Sequence, residues 1–150
     1  MPEPAPERSD TLVIRKIIPV AREKVFAAWL DAEGMKSWMC PGDMSAEAHL
    51  DPRVGGSFRI VMKGKDRNYE HTGEYQVIDP PSKLVFTWIS EGTDHQPTLV
   101  TVEFFERGEH CELVLTHERF PKPEKVPGHK RGWSEIADRL AAYLTAAAGR

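Results

Sequence analysis

The apolar residues in the last quarter of the chain recur at offsets of three and four residues, which is the spacing of one face of an α-helix. The apolar stripe consists of Trp133, Ile136, Ala137, Leu140, Ala141, Tyr143 and Leu144. Polar residues such as Glu135 and Asp138 fall on the opposite side. The pattern predicts a helix over about 129–146, roughly 27 Å long at 1.5 Å per residue, with one face in a core.

The preceding part of the chain alternates between apolar and polar residues with a period of two, which is typical of strands. Helical offsets predict a short helix over about 21–30, and Asp31 is suited to cap a second helical turn that includes Met35 and Trp38. The strands are predicted at 11–18, 45–50, 57–63, 70–78, 83–89, 98–107 and 111–119. This order predicts an α+β fold, in which a curved antiparallel sheet of about seven strands wraps a long C-terminal helix.

A helix that crosses a curved sheet tends to leave a pocket between the two layers, and alternation within each strand indicates which side chains face it. Aromatic residues dominate that face, as in many small-molecule sites. The alternative is that the same side chains meet and fill the core. The residues predicted to bind a ligand are Phe58, Ile60, Met62, Tyr75, Phe86, Trp88, Leu113, Leu115, His117, Trp133, Ile136 and Leu140.

His117 is the titratable residue of greatest interest, because alternation places it on the same face as Leu113 and Leu115. An imidazole there could bind a ligand carbonyl or move a proton near neutral pH, with Tyr75 as a partner. The alternative is a buried structural histidine whose hydrogen bonds go to the backbone or to Tyr75. Solvent exposure in or near loops is expected for the other candidates, His71, His95, His110 and His129.

The composition is that of an ordinary soluble protein, with 40% hydrophobic and 29% charged residues and a net charge of -3. This balance gives no general attraction to nucleic acid or to anionic membranes, and neither is expected as a partner. Residues 1–10 are rich in proline and acidic side chains, which predicts a disordered lead before a single domain over 11–146. A cytoplasmic location is expected, with Cys40 and Cys111 reduced.

Signatures of metal, phosphate or covalent chemistry are missing from the sequence, so we expect no metal, no cofactor and no catalytic residue. The glycines at 54–56 lie in a predicted hairpin turn and lack the lysine and the helix of a phosphate-binding loop. A basic cluster lies around the start of the last helix and is either a solvated edge or a site for an anionic ligand at the pocket mouth or for an acidic protein surface. The cluster consists of Lys122, Lys125, Lys130 and Arg131.

Several short strings, in their order and spacing, resemble the family named for the C-terminal domain of the activator of the heat shock protein 90 ATPase. This family lies within the START-like, or SRPBCC, superfamily, and the resemblance extends over about 11–144. The strings are found at 25–29, 54–59, 73–75, 78–81, 84–88, 113–117, 132–133 and 140–144, together with Trp38 at the end of the second helix.

The resemblance implies a helix-grip fold, START-like and Bet v-like. It also implies non-catalytic binding of a hydrophobic or aromatic small molecule between the sheet and the last helix. An alternative is a co-chaperone that activates a heat shock protein 90 class ATPase through its surface. A third hypothesis is a small-molecule enzyme similar to the cyclases, aromatases and hydrolytic members of this superfamily, in which case His117 would form a proton-transfer pair with Tyr75 or with an inward-facing acid. A monomer or a homodimer is expected.

Overall fold

The computed structural model describes residues 10–148, which form an antiparallel sheet, two short helices and one long helix. Short 3-10 turns at Glu91–Thr93 and Pro123–Lys125 join some of these elements. The strands are β1 (Leu12–Ile18), β2 (Ser45–Leu50), β3 (Ser57–Lys63), β4 (Asn68–Asp79), β5 (Lys83–Trp88), β6 (Thr98–Arg107) and β7 (His110–Glu118), and the helices are α1 (Arg22–Ala28), α2 (Ala32–Trp38) and α3 (Val126–Ala148). A disordered lead is predicted for residues 1–10, and all of these residues except Asp10 lie outside the described part of the chain.

The seven strands form one sheet in the order β1-β7-β6-β5-β4-β3-β2, with every neighbouring pair antiparallel. Strands from β2 to β7 pair consecutively, as short turns allow. Strand β1 returns to the other edge and pairs with β7, which sets Leu12 opposite His117. Helix α3 packs against β1 and α2, so the sheet curls around the helix. The predicted helix-grip fold is therefore confirmed.

Alternation decides which side chains enter the core. On β3, Phe58 and Ile60 are buried while Arg59 between them is exposed. Phe58 lies opposite Gly73 of β4. A β-carbon on Gly73 would lie 2.0 Å from the Thr87 carbonyl oxygen and 2.5 Å from the tip of Phe58, so only glycine permits this close approach.

The two short helices cover one end of the sheet. The side chain of Asp31 accepts a hydrogen bond of 3.2 Å from the Gly34 amide, so the predicted cap of α2 is confirmed. Trp29 and Trp38 pack edge to face with ring centroids 5.1 Å apart. These contacts anchor the helical pair to the core beneath α3.

Arg139 of α3 fixes the loop that follows α2. Its Nη1 atom lies 2.8 to 3.3 Å from the carbonyl oxygens of Cys40, Gly42 and Met44, and 2.9 Å from the Cys40 sulfur. Burial raises the pKa of the Cys40 thiol even though the Arg139 charge lowers it. Burial also raises the pKa of Cys111 to about 11, so both thiols are protonated near neutral pH.

The largest departure from the predicted bounds occurs at the start of α3, and shifts of two residues occur elsewhere, for example at the start of β4. Helix α3 begins at Val126, three residues before the predicted start, with Pro127 in its first turn. Proline is compatible with this position, because the first amides of a helix have no intrahelical acceptor. Strand β4 begins at Asn68 instead of residue 70.

Candidate functional site

A cavity of about 690 Å³ lies between the amino-terminal half of α3 and the sheet. Its walls come from residues 128–136 of α3, residues 68–72 of β4 and residues 88–92 at the end of β5. The loop after α2 contributes Pro41 and Met44. This volume lies within the usual range for pockets that bind small molecules.

The apolar wall of the cavity is formed by large side chains from both layers. Trp88 of β5 and Trp133 of α3 have ring centroids 5.0 Å apart with their planes inclined by 53°. Both rings are almost fully buried. Their neighbours in the lining are Met44, Met62, Ile89 and Ile136.

Two glycines of α3 keep the cavity wide. Gly128 and Gly132 both line it, one turn apart, and no other atom lies within 4 Å of a β-carbon built on either. Glycine in a helix interior is less stable than alanine by roughly 0.5 to 1 kcal/mol. Gly132 lies in the helix interior, so α3 forgoes this stability at a position that lines the cavity, while Gly128 lies in the first turn.

Three polar side chains, His71, Ser90 and His129, line the cavity together, and we call them the polar cluster. The bridge between Thr72 and Ile89 sets His71 directly across from Ser90. His129 lies one helical turn before Trp133. A β-carbon on Gly92 would lie 3.0 Å from His129 Nε2 and 3.4 Å from Ser90 Oγ, so both side chains pack close to Gly92.

The polar cluster is largely unpaired within the described part of the chain. Nδ1 of His129 lies 2.8 Å from the Lys125 carbonyl oxygen, to which it donates. The Ser90 hydroxyl and Nδ1 of His71 are buried and make no hydrogen bond of ordinary geometry with any described group, although the Ser90 side chain faces the Thr93 amide in a capping box at the Glu91–Thr93 turn. Buried polar atoms without partners are uncommon, because each one loses its hydration without compensation.

Burial keeps both histidines of the polar cluster neutral near pH 7. It lowers the pKa of His71 to about 4, although the carbonyls of Ile60 and Tyr69 act in the opposite direction. The pKa of His129 is also lowered, mainly by burial, with the hydrogen bond to the Lys125 carbonyl opposing it. Neutral imidazoles carry an unprotonated nitrogen that accepts hydrogen bonds.

The rim of the cavity is charged, and several of its acids and bases are paired with one another. Arg67 of the β3–β4 turn forms an ion pair with Glu91, which lowers the pKa of that carboxyl. Asp94 lies 3.5 Å from the Lys122 ammonium and 3.8 Å from that of Lys125. Of the basic cluster noted in the sequence, Lys122 and Lys125 are thus partly neutralised, while Lys130 and Arg131 are exposed.

His117 is fully buried in a chain of hydrogen bonds beside the cavity. The Trp133 indole donates a hydrogen bond of 3.0 Å to Nδ1 of His117. Nε2 of His117 lies 2.7 Å from the Thr98 hydroxyl, which in turn donates to the Trp88 carbonyl. The expectation that Tyr75 or the backbone satisfies the ring is therefore wrong, because Thr98 and Trp133 occupy both nitrogens. Burial lowers the pKa of His117 well below its usual value.

The residues predicted to bind a ligand divide into two groups. Those that line the cavity are Met62, Trp88, Trp133 and Ile136. Those that are buried in the packed core outside this lining are Phe58, Ile60, Tyr75, Phe86, Leu113, Leu115, His117 and Leu140. Contact with a ligand stays a prediction for both groups.

Sequence reasoning missed the polar cluster, although the signal was available. His71 lies on the same face of β4 as Tyr75, and Ser90 follows Trp88 by two residues, which places it on the same face as Trp88. His129 precedes Trp133 by four residues and so lies on the same face of α3. The sequence pattern therefore predicts that all three side chains point inward. The expectation that the histidines are exposed is wrong for His71 and His129, which are half-buried. His95 is exposed, as expected, and also lines the cavity.

Other kinds of site can be examined over residues 10–148. In that range no group of three or more His, Cys, Asp or Glu side chains is arranged to hold a metal ion. None of the helices described is both long enough and apolar enough to cross a membrane. The cavity is thus the principal candidate site in this part of the chain.

Solved structures similar to this chain come from several bacteria. A protein from Rhodobacter sphaeroides has a TM-score of 0.82 at 23% identity, covering 95% of this chain and 97% of that one. The AHSA1 protein from Silicibacter pomeroyi has a TM-score of 0.76 at 26% identity over 90% and 97% of the two chains. An AHSA1-like protein from Aeromonas hydrophila has a TM-score of 0.75 at 22% identity over 92% and 94%.

The sequence comparison assigns the family. No curated protein matches this chain. The family model described as "Activator of Hsp90 ATPase homolog 1-like protein" matches residues 19–145, which is most of the sequence and contains every element from α1 to the greater part of α3. The chain therefore belongs to the family of Activator of Hsp90 ATPase homolog 1-like proteins.

Proposed function

We propose that this protein binds an apolar small molecule, preferably an aromatic one, in the cavity between α3 and the sheet, without catalysing a reaction on it. The observation that carries this proposal is the cavity of about 690 Å³, which joins an apolar wall to the few side chains of the polar cluster. Small-molecule sites combine these same two features.

Aromatic ligands are favoured by the two tryptophans of the apolar wall. Trp88 and Trp133 come from opposite layers and are inclined to each other, so a flat ring in the cavity can meet one face and one edge. Aromatic pairs of this kind contribute about 0.5 to 1.5 kcal/mol beyond the burial of their area. Met44 and Met62 add flexible side chains that adapt to different ligand shapes.

A binding role is favoured over catalysis by the state of the polar groups. The nearest nucleophile and base, Ser90 and His129, are not hydrogen-bonded to each other. Activated serines in enzymes are joined to their base by such a bond. His117 and Tyr75, the other candidate pair, are both held neutral, because burial lowers the pKa of the histidine and raises that of the tyrosine.

The first experiment is a thermal-shift and tryptophan-fluorescence screen with fatty acids, polyketides and aromatic metabolites. A ligand present at one hundred times its dissociation constant raises the free energy of unfolding by about 2.7 kcal/mol. We expect the largest shifts from aromatic compounds, accompanied by a change in tryptophan emission, because Trp88 and Trp133 would contact the ligand.

A variant that fills the cavity tests whether binding occurs there. Gly132→Leu places a side chain in the open space beside Trp133 and should weaken binding at least tenfold, since the ligand and the leucine would compete for one volume. Ala142→Leu is the matched control, because Ala142 is exposed on the same helix. Equal affinities in both variants would rule out the cavity as the binding site.

A further inference from the structure

The charged side chains that line the cavity lie at its mouth. They are exposed or, for Lys125, half-buried, whereas the polar side chains farther in are those of the polar cluster. Burial keeps both histidines of that cluster neutral near pH 7. A charged ligand group in the interior would lose its hydration without meeting an opposite charge, which is strongly unfavourable. A charge on the ligand is therefore tolerated only at the mouth.

Two residues of the mouth, Arg67 and Glu91, form an ion pair between separate parts of the fold. Arg67 belongs to the turn between β3 and β4, and Glu91 begins the 3-10 turn after β5. Nη2 of Arg67 donates to the Glu91 carboxylate, and the guanidinium lies 4.6 Å from the centre of the Tyr69 ring, which helps to hold it in place. Glu70, which also lines the cavity, is paired with Arg59. Each of these charges is directed at a neighbour.

The Arg67–Glu91 pair lies within reach of a ligand in the aromatic part of the cavity. Glu91 follows Trp88 by three residues, and the whole segment 88–91 lines the cavity. At roughly 3.3 Å per extended residue, Trp88 and Glu91 are at most about 10 Å apart along the backbone. A bicyclic ring against Trp88 can therefore hold a substituent close to the pair.

The helix side of the mouth is balanced as well. Asp94 lies 3.5 Å from the Lys122 ammonium and 3.8 Å from that of Lys125. Glu124 lines the cavity beside Lys125 and is exposed, so its carboxylate offsets the second lysine. The mouth thus offers a ligand neither a surplus of positive charge nor a surplus of negative charge.

We propose that the Arg67–Glu91 pair makes the site selective for uncharged ligands, because each residue cancels the charge that the other would present at the mouth. This inference rests on the proposed binding function and adds the chemical class of the ligand, an aromatic body whose substituents carry no charge. A carboxylate would face Glu91 as well as Arg67, and an ammonium group would face Arg67 as well as Glu91. Either group would give up hydration without a net electrostatic gain.

Three probes with the same ring system separate the outcomes. We would titrate 2-methoxynaphthalene, 2-naphthoate and 2-naphthylmethylammonium into the full chain by calorimetry at pH 7.5 and about 20 mM salt, where exposed charges are weakly screened. The neutral methoxy probe should bind at least about tenfold more tightly than either charged probe. Equal or tighter binding of a charged probe would overturn the inference and leave the binding function standing. If none of the three bound, the inference and the proposed function for aromatic ligands would both fail.

Variants assign the selectivity to the ion pair. Glu91→Gln leaves Arg67 without its partner and should strengthen binding of 2-naphthoate, relative to the methoxy probe, about fivefold. Arg67→Gln should do the same for the ammonium probe, because Glu91 is then unpaired. The double variant removes both charges and should return both ratios to the values of the original protein. Unchanged ratios in the two single variants would mean that the pair does not determine selectivity.

Glu112→Gln is the matched control, because Glu112 pairs with Arg107 at 2.9 Å and neither residue lines the cavity. It should leave all probe ratios at their original values. Raising the salt to about 0.5 M should remove the gains of the single variants, since exposed charges are then screened. A gain that persisted would show that it does not come from the freed charge, and the inference would be wrong. Both members of the pair are exposed, so folding of each variant is checked simply by its melting temperature.

Discussion

His117 and His129 face each other across the layer between sheet and helix, with ring centroids 5.6 Å apart, yet their surroundings differ sharply. His117 is fully buried, and both of its nitrogens are hydrogen-bonded by Trp133 and Thr98. His129 is half-buried, and its Nδ1 donates to the Lys125 carbonyl at the start of the same helix. Its Nε2 lies close to Gly92. One histidine completes the packed core, and the other leaves a hydrogen bond to be made.

The same contrast extends along α3. Its carboxyl-terminal half presents Leu140 and Leu144, which are buried against the sheet and the short helices. Its amino-terminal half presents Gly128 and Gly132, which leave open space. The fold thus concentrates its stabilising contacts in one half of the layer. The other half is free to hold polar groups that a well-packed core would exclude.

The largest effect should come from Trp133, which joins the two halves. Trp133→Ala removes the donor to His117 and the packing against Trp88 and Trp29. We expect the free energy of unfolding to fall by about 3 to 5 kcal/mol in urea denaturation, because a buried indole leaves a large void. Trp133→Phe keeps most of the packing but leaves Nδ1 of His117 unpaired, so its loss should be smaller, about 1 to 3 kcal/mol. A loss below 1 kcal/mol for alanine would contradict the docking of α3.

The next prediction sets the two histidines against each other. His117→Ala should lower the free energy of unfolding by about 3 kcal/mol, because the Trp133 indole and the Thr98 hydroxyl would lose a buried partner. His129→Ala should lower it by about 1 kcal/mol or less, since its ring makes only one hydrogen bond, within its own helix. Similar losses in urea denaturation would remove the distinction between a structural and a ligand-facing histidine.

The pH dependence of stability should come from the same buried rings. The pKa of His71 is lowered to about 4, whereas in the unfolded chain it is about 6.5. The unfolded state therefore binds more protons as the pH falls below 6.5, and the stabilisation that is present above this pH is lost on the way to pH 4. For His71 alone the loss between pH 7.5 and 5.0 should be on the order of 2 kcal/mol.

His71→Phe isolates this contribution, because it keeps an aromatic ring against Trp88, whose centroid lies 4.7 Å away, and cannot be protonated. Urea denaturation at pH 7.5 and at pH 5.0 should give a smaller loss in the variant than in the original protein. The carboxylates remain largely ionised above pH 5, so they contribute little over this interval. An unchanged pH dependence would mean that His71 is protonated as easily in the fold as in water.

The fold could be read from the sequence because alternation and turn chemistry agree with each other. The bounds predicted for Ser45–Leu50, Ser57–Lys63 and Thr98–Arg107 match the structure, and each of these strands ends near a residue that favours turns. The start of α3 is three residues earlier than the apolar stripe predicts, because Pro127 is accommodated in the first helical turn.

The site was harder to predict, because a cavity depends on the volumes of side chains that meet from distant parts of the chain. Phase along each strand predicts that Phe86 and Trp88 point the same way, and both are buried. It does not predict that Trp88 borders open space while Phe86 packs against Phe58. The position of His71 and His129 near predicted loops favours exposure, whereas their phase along strand and helix points inward, and the phase is the better guide.

The smallest predicted effect is a gain in the free energy of unfolding, and it comes from the amino-terminal half of α3, which borders the cavity. Gly132→Ala should raise the free energy of unfolding by about 0.5 to 1 kcal/mol in urea denaturation, because alanine favours the helix and its methyl group meets no other atom within 4 Å. Gly73→Ala is the control in the packed half, where a methyl group would clash with the Thr87 carbonyl and Phe58, and it should be strongly destabilising. If Gly132→Ala were also destabilising, the space beneath the amino-terminal half of α3 would be occupied. The contrast between a closed and an open half would then not hold.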